Sequence, residues 1–246
     1  MEKAEYQKHF DLEESFWWFR GRRKVLRAVL DSRLDADERR RYLDVGCGAG
    51  FNLKALAPYG EAYGCDYSGD ALSFTRQRGV PRLARCDARA LPYRNEAFGL
   101  VSILDVLSHE SIADDGEVLR ETFRILAPGG FLLVSDNALP ILASPHDRAY
   151  HVRERYRRKD LAERMERAGF RIVRTTFFNF FLFPVILAVR LMNRLRDRKR
   201  EKIASDVAAV HPAVNGLLLG ILRLEARLAR RVRLPIGSSV VLLAQK

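Results

Sequence analysis

The chain has 246 residues, nearly half of them hydrophobic, with 43 Lys and Arg against 31 Asp and Glu, a formal net charge of +12. That length suits one large α/β domain with a modest cap, and that much apolar content excludes global disorder. The basic excess crowds into residues 153–174, 190–202 and 223–233, and it admits three partners: nucleic acid, an anionic membrane surface or an acidic substrate.

Residues 1–11 are polar and mixed in charge with no apolar core, so a secretory leader is not expected. Phe16-Trp17-Trp18-Phe19-Arg20-Gly21-Arg22-Arg23 puts four aromatics beside three arginines, and an amphipathic helix packed on the domain accounts for them, Trp17 above all. From about residue 41 to 178, short apolar strands at 41–47, 62–67, 83–87, 98–105, 130–136 and 171–178 alternate with helical patterns. The helices are expected at 52–57, 71–78, 115–126 and 159–168, the last stopped by Gly169. Strand–helix alternation with buried β-branched strands predicts a parallel sheet. Residues 238–244 read as a final strand. Before it come two apolar-basic helices, one from Pro184 to about 202 and one over about 213–233. In the second, Val214, Leu217, Leu218, Ile221, Leu224, Leu228 and Val232 recur at helical spacing. Cys47, Cys65 and Cys86 form no CxxC pair, so neither a metal site nor a disulfide framework is expected and a reducing cytoplasm is the economical compartment.

The chemistry gathers at Tyr42-Leu43-Asp44-Val45-Gly46-Cys47-Gly48-Ala49-Gly50, a strand turning through glycines into a helix. A dinucleotide fingerprint would want a small residue where Phe51 stands, and a phosphate loop would want Gly-Lys-Ser/Thr, which is absent. An acid two residues before the first glycine is poor for pyrophosphate and suits a cationic ligand. This Asp-x-Gly-x-Gly-x-Gly run resembles the first motif of class I methyltransferases that use S-adenosylmethionine. Other segments fall in register with it: Gly64-Cys65-Asp66-Tyr67-Ser68, then Cys86-Asp87-Ala88 with Leu91-Pro92-Tyr93, then residues 98–109, then Leu126-Ala127-Pro128-Gly129-Gly130. The resemblance covers about 41–178 plus the last strand. Phe16 to Arg23 is similar to the Trp-Trp-Phe-x-x-Arg opening of a bacterial subgroup.

The resemblance implies a doubly wound, Rossmann-like α/β fold with a seven-stranded sheet whose last strand is antiparallel. It implies a core of 41–178 and 237–246, an N-terminal helical segment, 1–40, covering the cofactor cleft, and a helical insertion, 179–236, before the last strand. S-adenosylmethionine is the implied cofactor. Asp44, Gly46, Gly48 and Gly50 would form its loop, and Asp66 with Tyr67 would take the ribose. Asp87 and Ala88 would contact adenine, and Arg20, preferred over Arg22 and Arg23, would meet the methionyl carboxylate. Asp105 is a cofactor candidate that a loop or helix-cap role explains equally well. His109, His146 and His151, at or just beyond the carboxyl edge of the sheet, are the candidates for a general base. Many relatives carry Glu-His where this chain has Ser108-His109, which puts a carboxylate role at 108 in doubt. Residues 177–192 are too apolar for an exposed cap and too short and interrupted to span a bilayer. They read either as an interfacial segment with the basic stretch 194–202 at lipid headgroups, or as a buried cap or dimer surface. The expected activity is methyl transfer to a small or lipid-linked hydrophobic acceptor, in the cytoplasm or at the inner membrane face. The alternatives are an RNA methyltransferase, disfavoured because no RNA-binding module or base-methylation motif is found, and a non-catalytic, membrane-associated regulator.

Overall fold

The structure, a computed structural model, describes residues 3–34, 40–144, 147–148, 150–196 and 210–246. Its elements run α1 (Lys3–Leu12), α2 (Trp17–Leu30), β1 (Arg40–Val45), α3 (Phe51–Leu56), β2 (Gly60–Asp66), α4 (Gly69–Gln77), β3 (Leu83–Arg85) and β4 (Phe98–Leu104). They continue with α5 (Asp115–Ile125), β5 (Leu126–Asn137), α6 (Arg158–Arg167), β6 (Arg171–Phe178), α7 (Phe183–Arg196), α8 (Pro212–Ala229) and β7 (Ser239–Gln245). The strands form one seven-stranded sheet in the order β3-β2-β1-β4-β5-β7-β6. β7 runs antiparallel to both β5 and β6, and the remaining pairs are parallel. The chain reverses its direction of winding between β1 and β4, and a crevice opens there beyond the carboxyl ends of the strands.

Strand alternation sorts the core into two layers. Leu43, Val45, Val101, Ile103, Leu132 and Val134 point to one face, where Val118, Leu119 and Ile125 of α5 and Leu161 and Met165 of α6 cover them. Tyr42, Leu100, Leu133, Val241 and Leu243 point to the other. There they meet Val25, Leu26, Val29 and Leu30 of α2, Leu53 and Leu56 of α3, and Ala226 and Ala229 of α8.

Of the two helices of the insertion, α7 borders the crevice through Ile186 and Arg190, and α8 does not. α8 lies along α2 on the sheet face, and its buried side chains are Leu219, Leu222, Glu225, Ala226 and Ala229. The stripe picked out by its sequence spacing faces outward instead, with Val214, Leu217 and Leu224 exposed. α8 is apolar around most of its circumference, so spacing alone could not choose the packed side. Most of the basic stretch 194–202 lies outside the described residues.

Candidate functional site

A cavity of about 950 Å³ opens at the carboxyl edge of the sheet. The turns after β1 through β5 supply its floor, α1 and α2 its roof, and α7 and the approach to β7 its far wall. That volume is of the size that takes a cofactor together with a small molecule.

Gly48 has φ +56°, and a Cβ built on it meets nothing within 4 Å, so its bare backbone faces open cavity. Gly46 also lines the cavity, and a side chain there would strike Val106. Gly50 does not line it: its role is packing, since a Cβ would lie 2.6 Å from Thr75 Cγ2. Asp66 ends β2 with its carboxylate in the wall. Its Oδ2 accepts the Gly48 amide at 2.9 Å and its Oδ1 the Ser68 amide at 2.8 Å, which fixes the carboxylate across the loop. Burial raises its pKa, and these amides oppose the rise. Tyr67, Asp87 and Ala88 line the same stretch, with Asp87 paired to Arg89 at 2.6 Å.

Asp44 is placed differently from the expectation of a ligand contact. It is buried behind the wall, where its Oδ1 takes the Ser102 hydroxyl, and Oδ2 finds no partner among the described residues. Inward-pointing alternation on β1 carries it beneath the loop. Arg20 likewise gives nothing to the cavity, whereas Trp18, Phe19, Arg22 and Arg23 do. A helix turns about 100° per residue, so the side that shows 18–19 and 22–23 hides 20. The roof therefore carries two arginines, and while Arg23 donates to the Glu13 carbonyl, Arg22 is the one that meets an acid at the tip of β4. Its Nη1 pairs with Asp105 Oδ2 at 2.9 Å, and its buried Nε and Nη2 have no partner among the described residues. Asp105 holds φ +59° at the tip of β4, a left-handed conformation that costs a non-glycine residue and recurs at functional sites. Burial raises its pKa while Arg22 and Arg155 pull it down.

Of the three histidines, His109 lines the cavity. Its Nδ1 accepts the Ser111 amide at 3.2 Å, so the neutral ring carries its proton on Nε2 and can donate there but not accept. His151 is absent from the cavity wall, with Nδ1 2.7 Å from Glu110 Oε1. His146 lies outside the described residues.

Sequence reasoning missed the contribution of α1. Tyr6, His9 and Glu13 line the roof, and their spacing down one helical face was the available signal. His9 Nε2 lies 3.2 Å from the Tyr150 hydroxyl. Glu13 is buried against Arg78, with its carboxyl pushed up to about 7 by burial. Arg78 also donates to the carbonyls of Ala49 at 2.7 Å and Phe10 at 2.8 Å, tying the end of α1 to the glycine loop. Beyond Asp105 the wall turns apolar at Leu142, Tyr150 and Ile186, with polar groups at Asn137, Asn179 and Ser239. Polar atoms left over at Arg22, open backbone at Gly48 and a fixed acid at Asp66 together suit a ligand with a ribose and an amino-acid zwitterion.

A methyltransferase-domain family model matches residues 43–134. In sequence, the chain is 35% identical over 92 residues to "Probable tRNA methyltransferase 9B" of Mus musculus, covering 37% of this chain and 20% of that one. It is 37% identical over 103 residues to a demethylmenaquinone methyltransferase of Thermus thermophilus, covering 39% of this chain and 46% of that one. The chain thus spans between a fifth and a half of the length of these relatives. In structure, it is similar to an S-adenosylmethionine-dependent methyltransferase of Thermotoga maritima, with TM-score 0.58 and 18% identity over 99% of this chain and 95% of that one, a likeness of fold.

Proposed function

Because the chain carries a class I S-adenosylmethionine-dependent methyltransferase domain, we propose that it transfers the methyl group of that cofactor to a small or lipid-linked hydrophobic acceptor. The observation that carries this reading is one cavity with two halves: an acid-and-glycine half beside Asp66, and an aromatic-aliphatic half beside Leu142, Tyr150 and Ile186.

In this reading Asp66 holds the ribose hydroxyls and Asp87 with Ala88 the adenine. The Arg22–Asp105 ion pair presents one cation and one anion to the amino-acid end, Arg22 to its carboxylate and Asp105 to its ammonium. The bound cofactor supplies an electrophilic methyl on a sulfonium. The chain's contribution is alignment and exclusion of water, with the aromatic roof of Trp18 and Phe19 closing over the reacting atoms. His109, with its proton on Nε2, would serve as a hydrogen-bond donor to the acceptor. The working place is the cytoplasm and the inner face of an anionic membrane, a reading supported by the basic insertion.

Calorimetry tests the cofactor half. S-adenosylhomocysteine should bind and NAD should not. Asp66→Ala should weaken binding by about 1.5–3 kcal/mol, the range for hydrogen bonds to a charged group. NAD binding without S-adenosylhomocysteine binding overturns the reading. The mouse relative's name and the basic charge favour RNA as a second acceptor class. Labelled methyl supplied to a fractionated cell extract distinguishes them, by entering organic solvent or nucleic acid.

A further inference from the structure

We infer that the outward apolar stripe of α7 is a docking surface for an anionic bilayer, and that the acceptor enters the cavity from that bilayer past the inner face of the same helix. This rests on the methyltransferase reading and names both its partner and its acceptor class, a membrane-resident amphiphile.

α7 is apolar through its first two turns, Phe183 to Val189, yet these turns are not buried as an apolar helix ordinarily is. One side faces inward: Phe183 is buried, and Ile186 and Arg190 line the cavity. Phe181, just before the helix, and Val185, Val189 and Met192 within it are 43%, 64%, 42% and 48% exposed. At about 100° per residue the three within the helix fall within an arc of about 60°, some 110° round from Ile186 and Arg190. The helix is a partition with cavity on one side and, among the described residues, an uncovered apolar stripe on the other. A contiguous apolar surface of this kind marks an interaction site.

Charge decides what covers it. Residues 179–236 hold twelve Lys and Arg against four Asp and Glu, a net +8 out of the chain's +12. Arg223, Arg227, Arg230, Arg231 and Arg233 are exposed, and Val214, Leu217 and Leu224 stand exposed on α8. Apolar stripes beside arginines describe helices that lie in the headgroup region. Pairing this face with a second copy would bring two segments of +8 together, which repel. Among the described residues no helix is long and apolar enough to cross a membrane, so contact is along the surface. A protein docked through the α7 stripe holds the Ile186–Arg190 wall of its cavity close to the bilayer. An acceptor with a polar head and a lipid tail can then present its head while the tail stays in the membrane.

The test uses the full chain, vesicles of equal phosphatidylglycerol and phosphatidylcholine, and the triple variant V185N/V189N/M192N, whose sites are all solvent-exposed. The parent should sediment with these vesicles. The variant should lose about tenfold or more of its partition, while its S-adenosylhomocysteine affinity and thermal unfolding stay those of the parent. Equal partition of variant and parent overturns the docking surface, and so does a parent that stays in the supernatant. A parent dimer in sedimentation velocity that the variant abolishes makes a second copy the occupant and also overturns it. For the route, labelled methyl transfer into total bacterial membrane lipid is measured with the lipid in vesicles and in detergent. The variant should fail with vesicles and match the parent in detergent; equal loss in both, or no transfer by the parent, overturns the route. Loss of S-adenosylhomocysteine binding by the parent would instead remove the methyltransferase reading and leave the vesicle result standing.

Discussion

Asp44 carries a carboxyl where an ionised one is poorly served. It is 1% exposed, Ser102 and Tyr42 continue its hydrogen bonding on one side, and Oδ2 has no partner among the described residues. Burial pushes the group up to about 7 against an ordinary value near 3.8, with Ser102 and Arg22 opposing the rise. A carboxyl whose folded value is raised stabilises the fold fully below about pH 4. That contribution falls as pH climbs through the interval to about 7, and levels beyond it. Asp44→Asn keeps the shape and does not ionise. The variant should match the parent near pH 4 and exceed it by a few kcal/mol, up to about 4 kcal/mol, at pH 8. Urea unfolding across that range reads the difference, and the buried Asp136 titrates in both proteins and cancels. A pH-independent difference would mean that Asp44 stays ionised and that Arg22 compensates it. The motif located Asp44 along the chain. It could not say whether the side chain points into the cavity or beneath it, because one step along a strand reverses the answer. The preference for Arg20 over Arg22 and Arg23 fell for the corresponding reason on a helix, where two steps turn a side chain to the far side. Asp66, Gly46 and Gly48 were legible because their position at a strand end or tight turn leaves one direction open.

Among elements, the helices α2 and α8 meet at a close approach. A Cβ on Gly21 would lie 2.5 Å from Leu222 Cβ, nearer than real contacts allow, so glycine here sets the distance between the helices. Replacing a helical glycine by alanine ordinarily gains up to about 1 kcal/mol. At Gly21 the clash should reverse the sign, destabilising by about 1–3 kcal/mol. Gly21→Ala in a Leu222→Ala background should recover part of that loss. Denaturant unfolding of the four proteins measures the coupling, and additive effects would show that the helices separate at no cost. The sheet was readable because alternating strands and helices leave few topologies, and β6 has the expected bounds. The role of α8 was not readable. Its packed face includes Glu225, whose carboxylate accepts the Phe181 amide at 2.9 Å, and no apolar periodicity announces a buried acid.

At the scale of the molecule, net positive charge and exposed apolar helix surface are concentrated in the same quarter of the chain, residues 179–236. Headgroup attraction is worth about 1 kcal/mol per basic residue and is screened by salt, whereas apolar insertion is not. Partition to anionic vesicles should therefore fall as salt rises from about 0.1 M towards 1 M and settle at a residual value. Vesicles of phosphatidylcholine alone should show that residual value at any salt. Binding that disappears altogether at high salt would make the association purely electrostatic and leave the α7 stripe without a part in it.

The roof of the cavity is built from two helices with unequal attachments. α2 continues from Trp18 and Arg22 into Val25, Leu26, Val29 and Leu30, so it cannot lift without opening the main core. α1 rests on α4 through the small cluster of Tyr6, Phe10, Ala71 and Phe74, with Arg78 as its clasp. A ligand the size of a nucleoside entering from above has one affordable door, and the hinge is the short turn between Leu12 and Trp17. The hold of α1 over the cleft then belongs to a few aromatic contacts and one arginine, apart from the packing of the sheet. Ligand passage and durability of the fold are therefore expected to answer to different positions, the first to 6, 10, 74 and 78 and the second to the sheet and α2.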